Sequence, residues 1–271
     1  MLSVGFFRSH FSAVWQWRGF VVGAATRELR SRYARSIFGW VWLIVPPVVF
    51  IAIYTLVFSQ IARGAALSES GRYAYSISLC AGLLTWQWFS EVLSRVVGLF
   101  TNNAALLKKT LTPWYALLAV DMLVSLVTLA IQMSLFAILL CTLGRWPGWD
   151  VLIFVPLLAA QALFAVGIGL GLAVLQVFVR DIGLLVPLVL QIWFWLTPIV
   201  YPLSAISEPY RHWLAANPIT PLVQGYQSVV VQGRPPLDWA GVLAVAAVGV
   251  LALALSVRLV RRNLPLIHDE I

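Results

Sequence analysis

The side chains that most often take part in catalysis are sparse in this sequence, and its two lysines are the most informative of them. Lys108 and Lys109 are adjacent, and the 271-residue chain has no other lysine. A P-loop places a glycine directly before the lysine that reaches the β- and γ-phosphates of ATP. Because the sequence has no Gly-Lys pair, this chain cannot hydrolyse ATP through a P-loop.

Other catalytic and metal-binding patterns are also missing from the sequence. It contains no G-x-S-x-G, no H-E-x-x-H and no zinc-ligand spacing. Cys80 and Cys141 lie inside apolar segments, which favours two small core residues. A membrane glycosyltransferase would need an interfacial acidic cluster such as D-x-D, whereas the only adjacent acidic pair is Asp269-Glu270 near the C-terminus. We therefore expect no catalytic residue, no metal site and no cofactor in this chain.

A few charged residues interrupt long apolar stretches, and such residues are functional candidates by default. Glu91 and Arg95 are four residues apart, so they share one face of a helix in the favourable order for an ion pair. Asp121 lies about 12 Å along a helix from Pro113. We expect the Glu91–Arg95 pair to fix helix packing near the inner surface; direct substrate contact is the alternative.

Aromatic residues occur in the middle of apolar stretches, where an interfacial belt of tryptophans does not explain them. Sugar rings stack on aromatic faces, so these residues predict an aromatic-lined passage for a glycan. Ordinary packing of bulky side chains is the alternative for any one of them. The candidate lining residues are Trp42, Phe50, Tyr54, Trp86, Phe89, Trp193 and Trp195.

The elements that position these residues must lie in a membrane. The chain is 61% hydrophobic and only 10% charged, whereas soluble proteins carry about 25% charged residues. Its net charge of +8 does not indicate a nucleic-acid partner, because the arginines flank apolar segments and form no basic face.

Six apolar stretches are candidate transmembrane helices. No formal charge occurs in residues 36–62, 73–90, 122–144, 151–179, 182–207 and 239–257. With both termini cytoplasmic, twelve lysines and arginines lie inside and five lie outside, as the positive-inside rule requires. The predicted fold is all-α and multi-pass, with spans at 37–62, 73–99, 113–143, 149–179, 183–203 and 238–258.

Two further segments of the sequence do not have the pattern of a single transmembrane helix. Residues 1–36 are too charged to cross and predict an amphipathic helix in the headgroup plane, with Phe7, Phe11, Trp15, Val22 and Leu29 on its apolar side. The alternative is a basic tail that only fixes topology; a cleaved signal peptide is not expected. Residues 204–236 predict short re-entrant helices that form an outer gate, with a loose surface loop as the alternative. The gate candidates are Pro209, Asn217, Pro218 and Pro221.

The whole chain resembles the permeases of bacterial polysaccharide and polyol-phosphate ABC exporters. Residues 27–47, RELRSRYARSIFGWVWLIVPP, and 103–113, NAALLKKTLTP, are similar to two family signatures, although Thr112 replaces the usual aromatic residue. The similarity continues in the same order through VFVRDI at 177–182, WFWLTPIVYP at 193–202 and NPITPLVQGYQSVVVQG at 217–233.

The resemblance implies a single transmembrane domain over residues 1–271 that forms a homodimer and binds two ABC ATPase subunits, in which ATP and Mg²⁺ are bound. It also implies that residues 100–112 form a coupling helix docking on the ATPase through Lys108 and Lys109, with Leu106 and Leu107 as the packing face. Pro113 and Glu28 belong to the same coupling group. The alternative is that the two lysines only enforce topology.

The implied cargo is a polysaccharide on a polyprenyl-diphosphate lipid, such as O antigen. Arg27, Arg30, Arg32 and Arg35 are candidates for binding the diphosphate, with anionic lipid headgroups as an equal alternative. A capsule, teichoic-acid, small-molecule or lipid exporter of the same architecture is the alternative function. A passive channel is a further alternative, although it would not need an ATPase-docking segment.

Overall fold

The computed structural model describes residues 15–33, 38, 41–64, 69–110, 112–201, 203, 206–232 and 237–270. Within them the secondary structure is helical, with eleven α-helices and one 3-10 turn at Gly148–Ile153. The helices are α1 (Arg18–Tyr33), α2 (Val41–Gly64), α3 (Glu69–Val97), α4 (Leu99–Asn102), α5 (Ala104–Lys109), α6 (Trp114–Thr142), α7 (Phe154–Phe178), α8 (Ile182–Trp195), α9 (Glu208–Ala215), α10 (Thr220–Gln232) and α11 (Trp239–Glu270).

Three helical segments of the described chain are long and apolar enough to cross a membrane. They are Trp114–Thr142, Gly148–Phe178 and Trp239–Ile267. Two shorter apolar helices lie at Ile44–Ile53 and Ile182–Trp195. The structure is therefore that of an all-α integral membrane protein.

Local sequence explains where several helices begin and end. Pro113 precedes α6 in an extended conformation, which suits a residue without an N–H at a helix start. At the other end of α6, Gly144 has a φ of 63° and the Arg145 N–H donates to the Leu140 carbonyl at 2.9 Å. This closing turn needs a left-handed residue, which glycine supplies without strain.

The core lies where α7 packs between α3 and α11. Gly167 on α7 meets Gly249 on α11 so closely that a Cβ atom added to Gly167 would lie 2.6 Å from the Gly249 carbonyl oxygen. The Ser256 hydroxyl of α11 donates to the Gly167 carbonyl at 2.7 Å. Small residues and one hydroxyl thus bring two membrane helices into backbone contact.

Three helix bounds differ from the predicted ones. The helix at the fifth predicted span ends at Trp195 instead of continuing to 203, because the proline at 198 has no N–H with which to extend it. The last helix continues twelve residues beyond 258, to Glu270. The predicted coupling helix at 100–112 is two short helices, α4 and α5, that end at Lys109.

The apolar side of α1 also differs from the prediction. Val21, Ala25 and Leu29 are buried against the first half of α6, whereas Trp15 and Val22 are exposed. The buried residues follow a four-residue spacing, which is the spacing of one helix face. Phe7 and Phe11 lie outside the described residues.

Candidate functional site

Several candidate residues lie at the end of the helix assembly formed by α1, α4, α5 and the last turns of α11. Lys108 and Lys109 are exposed at the end of α5. The Thr110 hydroxyl donates to the Leu106 carbonyl at 2.7 Å and lies 2.8 Å from the Thr112 hydroxyl. These bonds hold the end of α5, from which the two lysine side chains extend.

The two leucines of the predicted packing face lie against the protein's own core. Leu107 is only 6% exposed and belongs to the protein's own core. Leu106 is partly buried and packs against the same core. Because α5 lies on the body of the protein, the leucine side holds it there and the lysine side is free to meet a partner.

A partly buried arginine joins three elements near this end. Arg95 of α3 is 11% exposed, and its guanidinium lies 2.8 Å from Glu28 of α1 and 3.1 Å from both Glu91 of α3 and Asp121 of α6. The Glu91–Arg95 pair predicted from the four-residue spacing is therefore present. Sequence reasoning missed that Asp121 and Glu28 share this arginine, although the rarity of acidic residues within apolar stretches was a usable signal.

This cluster connects the surface helix to the membrane helices. Arg95 presents a planar guanidinium whose nitrogens bind carboxylates in different directions. Glu28 is thus held to α3 and α6 together, in addition to the apolar packing of α1 on α6. Moving α1 without moving α3 and α6 would separate buried charges, which is costly.

Four predicted diphosphate-binding arginines fall on or just after α1. Arg27 and Arg30 are exposed, so both are accessible to an anionic group. The side chains of Arg32 and Arg35 lie outside the described part of the chain. Arginine in such a position suits a phosphate, since its nitrogens can donate in pairs.

The predicted aromatic lining divides into two groups. Trp86 and Phe89 are 6% and 1% exposed, and their rings pack with Trp193 at centroid distances of 6.3 and 5.6 Å. Phe164 and Phe194 complete this cluster. Trp86 and Phe89 therefore do not line a passage in this chain, because they fill the space between α3, α7 and α8.

The other aromatic candidates face outward. Trp42 and Phe50 on α2 and Trp195 at the end of α8 are exposed, the last at 61%. The side chain of Tyr54 lies outside the described residues. Only this outward group remains available to a second chain, to lipid or to a passage.

The segment between α8 and α11 is cross-linked by hydrogen bonds. The Asn217 amide oxygen accepts from the Trp193 indole N–H and from the Ile219 N–H, both at 3.0 Å. Its amide nitrogen donates to the Leu196 carbonyl at 3.1 Å and the Thr197 hydroxyl at 3.0 Å. Asn217 thereby fixes the start of α10 to the end of α8.

The prolines around Asn217 have different positions. Pro218 is partly buried beside it, and Pro221 is buried at the start of α10, where a proline replaces an N–H that would lack a helical partner. Pro209 is at the first turn of α9, but its side chain is outside the described set.

A second set of polar bonds holds α10 in the core. The Gln161 amide of α7 donates to the Thr85 carbonyl of α3 at 2.9 Å and accepts from the Tyr226 hydroxyl of α10 at 2.7 Å. All three residues are buried. This bridge was not predicted from the sequence, where a glutamine inside an apolar stretch was its only signal.

Comparison with known proteins agrees with this architecture. The family model described as ABC-2 type transporter matches residues 21–231. The O-antigen export system permease protein RfbA of Myxococcus xanthus is 29% identical over 242 residues, covering 89% of this chain and 90% of that protein. A protein of the same name from Klebsiella pneumoniae is 24% identical, with 88% and 90% coverage.

A polysialic acid transport protein is also similar. The polysialic acid transport protein KpsM of Escherichia coli is 24% identical over 211 residues, which cover 76% of this chain and 79% of that protein. The family model spans more than three quarters of the sequence and includes most of α1, the α4–α5 segment and most of α10. This chain therefore belongs to the ABC-2 type transporter family.

Proposed function

We propose that this chain is the membrane permease subunit of an ATP-driven exporter that carries a lipid-linked polysaccharide of the O-antigen type across the bacterial inner membrane. The observation that carries the proposal is its similarity, over nearly the full length of both proteins, to relatives named as O-antigen export permeases. The sequence has no P-loop, so ATP and Mg²⁺ bind in a separate ATPase subunit.

Six spans with both termini in the cytoplasm complete the proposed topology. The described part of α1, the α4–α5 segment and the end of α11 all lie at one end of the helices, since α1 packs on the start of α6 and α11 packs beside α5. An even number of spans and the positive-inside count put this end in the cytoplasm. The α9–α10 segment then lies at the outer end as a gate.

The proposed assembly is a homodimer with two ATPase subunits. The exposed apolar faces of α2 and α8 meet their counterparts in the second copy, and the aromatic passage runs between the copies. In the revised lining, Trp42, Phe50 and Trp195 contact the glycan, whereas Trp86 and Phe89 support α8 from inside. Arg27 and Arg30 bind the lipid diphosphate at the cytoplasmic entrance, for which anionic headgroups compete.

Movement of the ATPases reaches the membrane by two routes in this proposal. Lys108 and Lys109 dock on the ATPase, and the Arg95 cluster makes α1, α3 and α6 move together. Opening between the copies then requires the outer segment to shift, and Asn217 makes α8 and α10 shift as a unit.

The test of the cargo is deletion of the gene in its host, with the wild-type gene as rescue. Loss of surface polysaccharide together with accumulation of lipid-linked polysaccharide inside is the expected result, and the accumulated sugar identifies the cargo. Accumulation of a capsule polymer would favour the second candidate, which the similarity to KpsM supports. Normal levels of both pools would refute glycan export.

The test of the Arg95 cluster is Glu28→Gln in the purified permease–ATPase complex. We expect export per ATP hydrolysed to fall several-fold while hydrolysis continues, because α1 no longer holds α3 and α6 through a charge. Glu270→Gln is the matched control, since it removes an exposed carboxylate at the end of α11 that belongs neither to the Arg95 cluster nor to the gate. Equal export-to-hydrolysis ratios in the two variants would rule out this transmission route.

A further inference from the structure

A cavity of about 530 Å³ opens where the coupling segment meets the C-terminal turns of α11. Two parts of the chain that are far apart in sequence form its walls. The first wall contains α5 and the turn before α6, and the second contains Leu264 and Ile267.

The lining combines an apolar floor with cationic groups. Phe100, Leu107 and Ile267 are buried and form the floor, whereas the side chains of Lys108 and Lys109 are exposed. An apolar hollow beside two ammonium groups fits an occupant that presents an apolar side chain flanked by carboxylates. Such a combination is typical of a protein contact in which an anchor residue is surrounded by complementary charge.

The length of α11 places this cavity beyond the bilayer core. The helix has 32 residues, which corresponds to about 48 Å, against a hydrocarbon thickness of about 30 Å. The arginines at 258, 261 and 262 mark the headgroup level. Ile267 follows them by five to nine residues, or roughly 7 to 14 Å along the helix. The cavity thus lies outside the hydrocarbon core, beside the first residues of α6. The two exposed ammonium groups at its rim favour an acidic protein partner over an acyl chain.

We infer that the cavity receives an apolar side chain of the ATPase subunit, flanked by acidic residues, and that the end of α11 is the second wall of the docking surface. The inference rests on the proposed function and adds a contact outside the coupling segment. It explains why α11 continues past the membrane and why apolar Leu264 borders an open cavity there.

The second wall also has a mechanical consequence. The α7–α11 contact joins backbones at Gly167 and Gly249, so α11 resists movement relative to the core. A partner seated between α5 and α11 would contact two elements that are both packed on the core, since Leu107 and Ile267 are buried there. ATPase movement would then be transmitted to the packed helices of the permease at two points instead of one.

The test uses a photoreactive amino acid at Leu264 in the full chain, co-expressed with its ATPase subunit in membranes. Leu266 is the matched control, because it is on the same turn, is exposed and does not line the cavity. We expect a covalent adduct with the ATPase from position 264 and at least tenfold less from position 266. A third probe at Lys108 reports docking by the coupling segment alone.

Each alternative outcome has a distinct pattern. An adduct from position 108 with none from 264 would overturn the second wall and leave the coupling contact in place. A phospholipid adduct from 264 would overturn it in favour of a lipid site. Equal yields of the ATPase adduct from positions 264 and 266 would show that crosslinking there is not specific to the cavity. That result would also overturn the second wall. Failure of the ATPase to copurify with the unmodified permease would instead refute the proposed function.

A substitution gives an independent measurement. Leu264→Gln places an amide at the cavity wall and is expected to weaken ATPase binding about tenfold, with Leu266→Gln binding as wild type. Melting temperatures of the two variants in detergent check that both are folded. Unchanged binding by a folded Leu264→Gln variant would contradict the inference.

Discussion

Helices α7 and α8 are neighbours in sequence and almost equally apolar, yet the structure packs them in opposite ways. In α7, thirteen of 25 residues are buried, whereas in α8 only Val186 and Leu190 of 14 residues are. Both helices consist mainly of residues that are stable in lipid, so hydropathy does not distinguish them.

Residue size and isolated polar groups account for the difference. Gly167 and Gly171 on α7 admit α11 to backbone distance, and Gln161 bonds to α3 and α10. In contrast, α8 presents Leu184, Leu188 and Ile192 outward. Because lipid is as apolar as leucine, only close packing and polar bonds favour helix contact in a membrane. The α7 side is thus the closely packed part of the chain, and the α8 side is the exposed part, where we propose that a second copy binds.

The largest expected effect is on the α7–α11 contact. In Gly249→Leu, the new Cβ atom would lie 2.7 Å from the Phe164 backbone nitrogen, and backbone cannot rotate away. We expect little or no folded permease in membranes, measured by size-exclusion chromatography of detergent extracts. Gly19→Ala is the control, since nothing lies within 4 Å of its added Cβ atom. Normal folding of Gly249→Leu would contradict the packing described here.

The next effect is on the inner aromatic cluster. Trp86→Ala removes a buried ring that packs on Phe89, Trp193 and Phe194. Cavities of this kind lower the free energy of unfolding by about 3 to 5 kcal/mol. We expect a clear drop in melting temperature in detergent. If this variant instead had the wild-type melting temperature and reduced export, the result would contradict a packing role and would indicate that Trp86 lines the passage.

A smaller effect is expected for the buried polar bridge. Tyr226→Phe leaves the Gln161 amide oxygen without its donor at 2.7 Å, which lowers the free energy of unfolding by about 1 to 3 kcal/mol. The melting temperature should fall by less than in Trp86→Ala. Tyr210→Phe is the control, because that tyrosine is exposed on α9. Equal melting temperatures for both tyrosine variants would exclude a stabilising bridge.

The smallest effect on stability is expected at the end of α8. Trp195→Ala truncates a side chain that is mostly exposed, so the melting temperature should change little. Export should nevertheless fall several-fold if this ring contacts the glycan or the second copy. Surface polysaccharide measured at matched permease levels checks this. Unchanged export would show that Trp195 does not take part in the proposed passage.

Some local features could be predicted from the sequence because one residue determines them. Pro113 starts α6, and the four-residue spacing of Glu91 and Arg95 places them together. The two helices between α8 and α11 also follow from prolines and apolar stretches in 204–236. Such features depend on backbone chemistry within a few residues, which a single sequence contains.

Features that depend on tertiary contacts could not be predicted. Glu28, Arg95 and Asp121 come from three separate helices, and no spacing rule brings them together. Leu107 and Trp86 have unremarkable sequence surroundings, and only the position of neighbouring helices buries them. The end of α11 was underestimated because its arginines indicate the membrane boundary, whereas the helix continues past that boundary to Glu270.

ATP-dependent transfer of a lipid-linked glycan in inverted membrane vesicles tests the proposed export most directly. Vesicles with the permease and its ATPase would receive labelled lipid-linked O-antigen-type polysaccharide on their outer, cytoplasmic face. Export predicts that added ATP protects the label from an external glycosidase, and that vesicles without the permease show no such protection. Equal protection with and without the permease would contradict the proposed role of this chain.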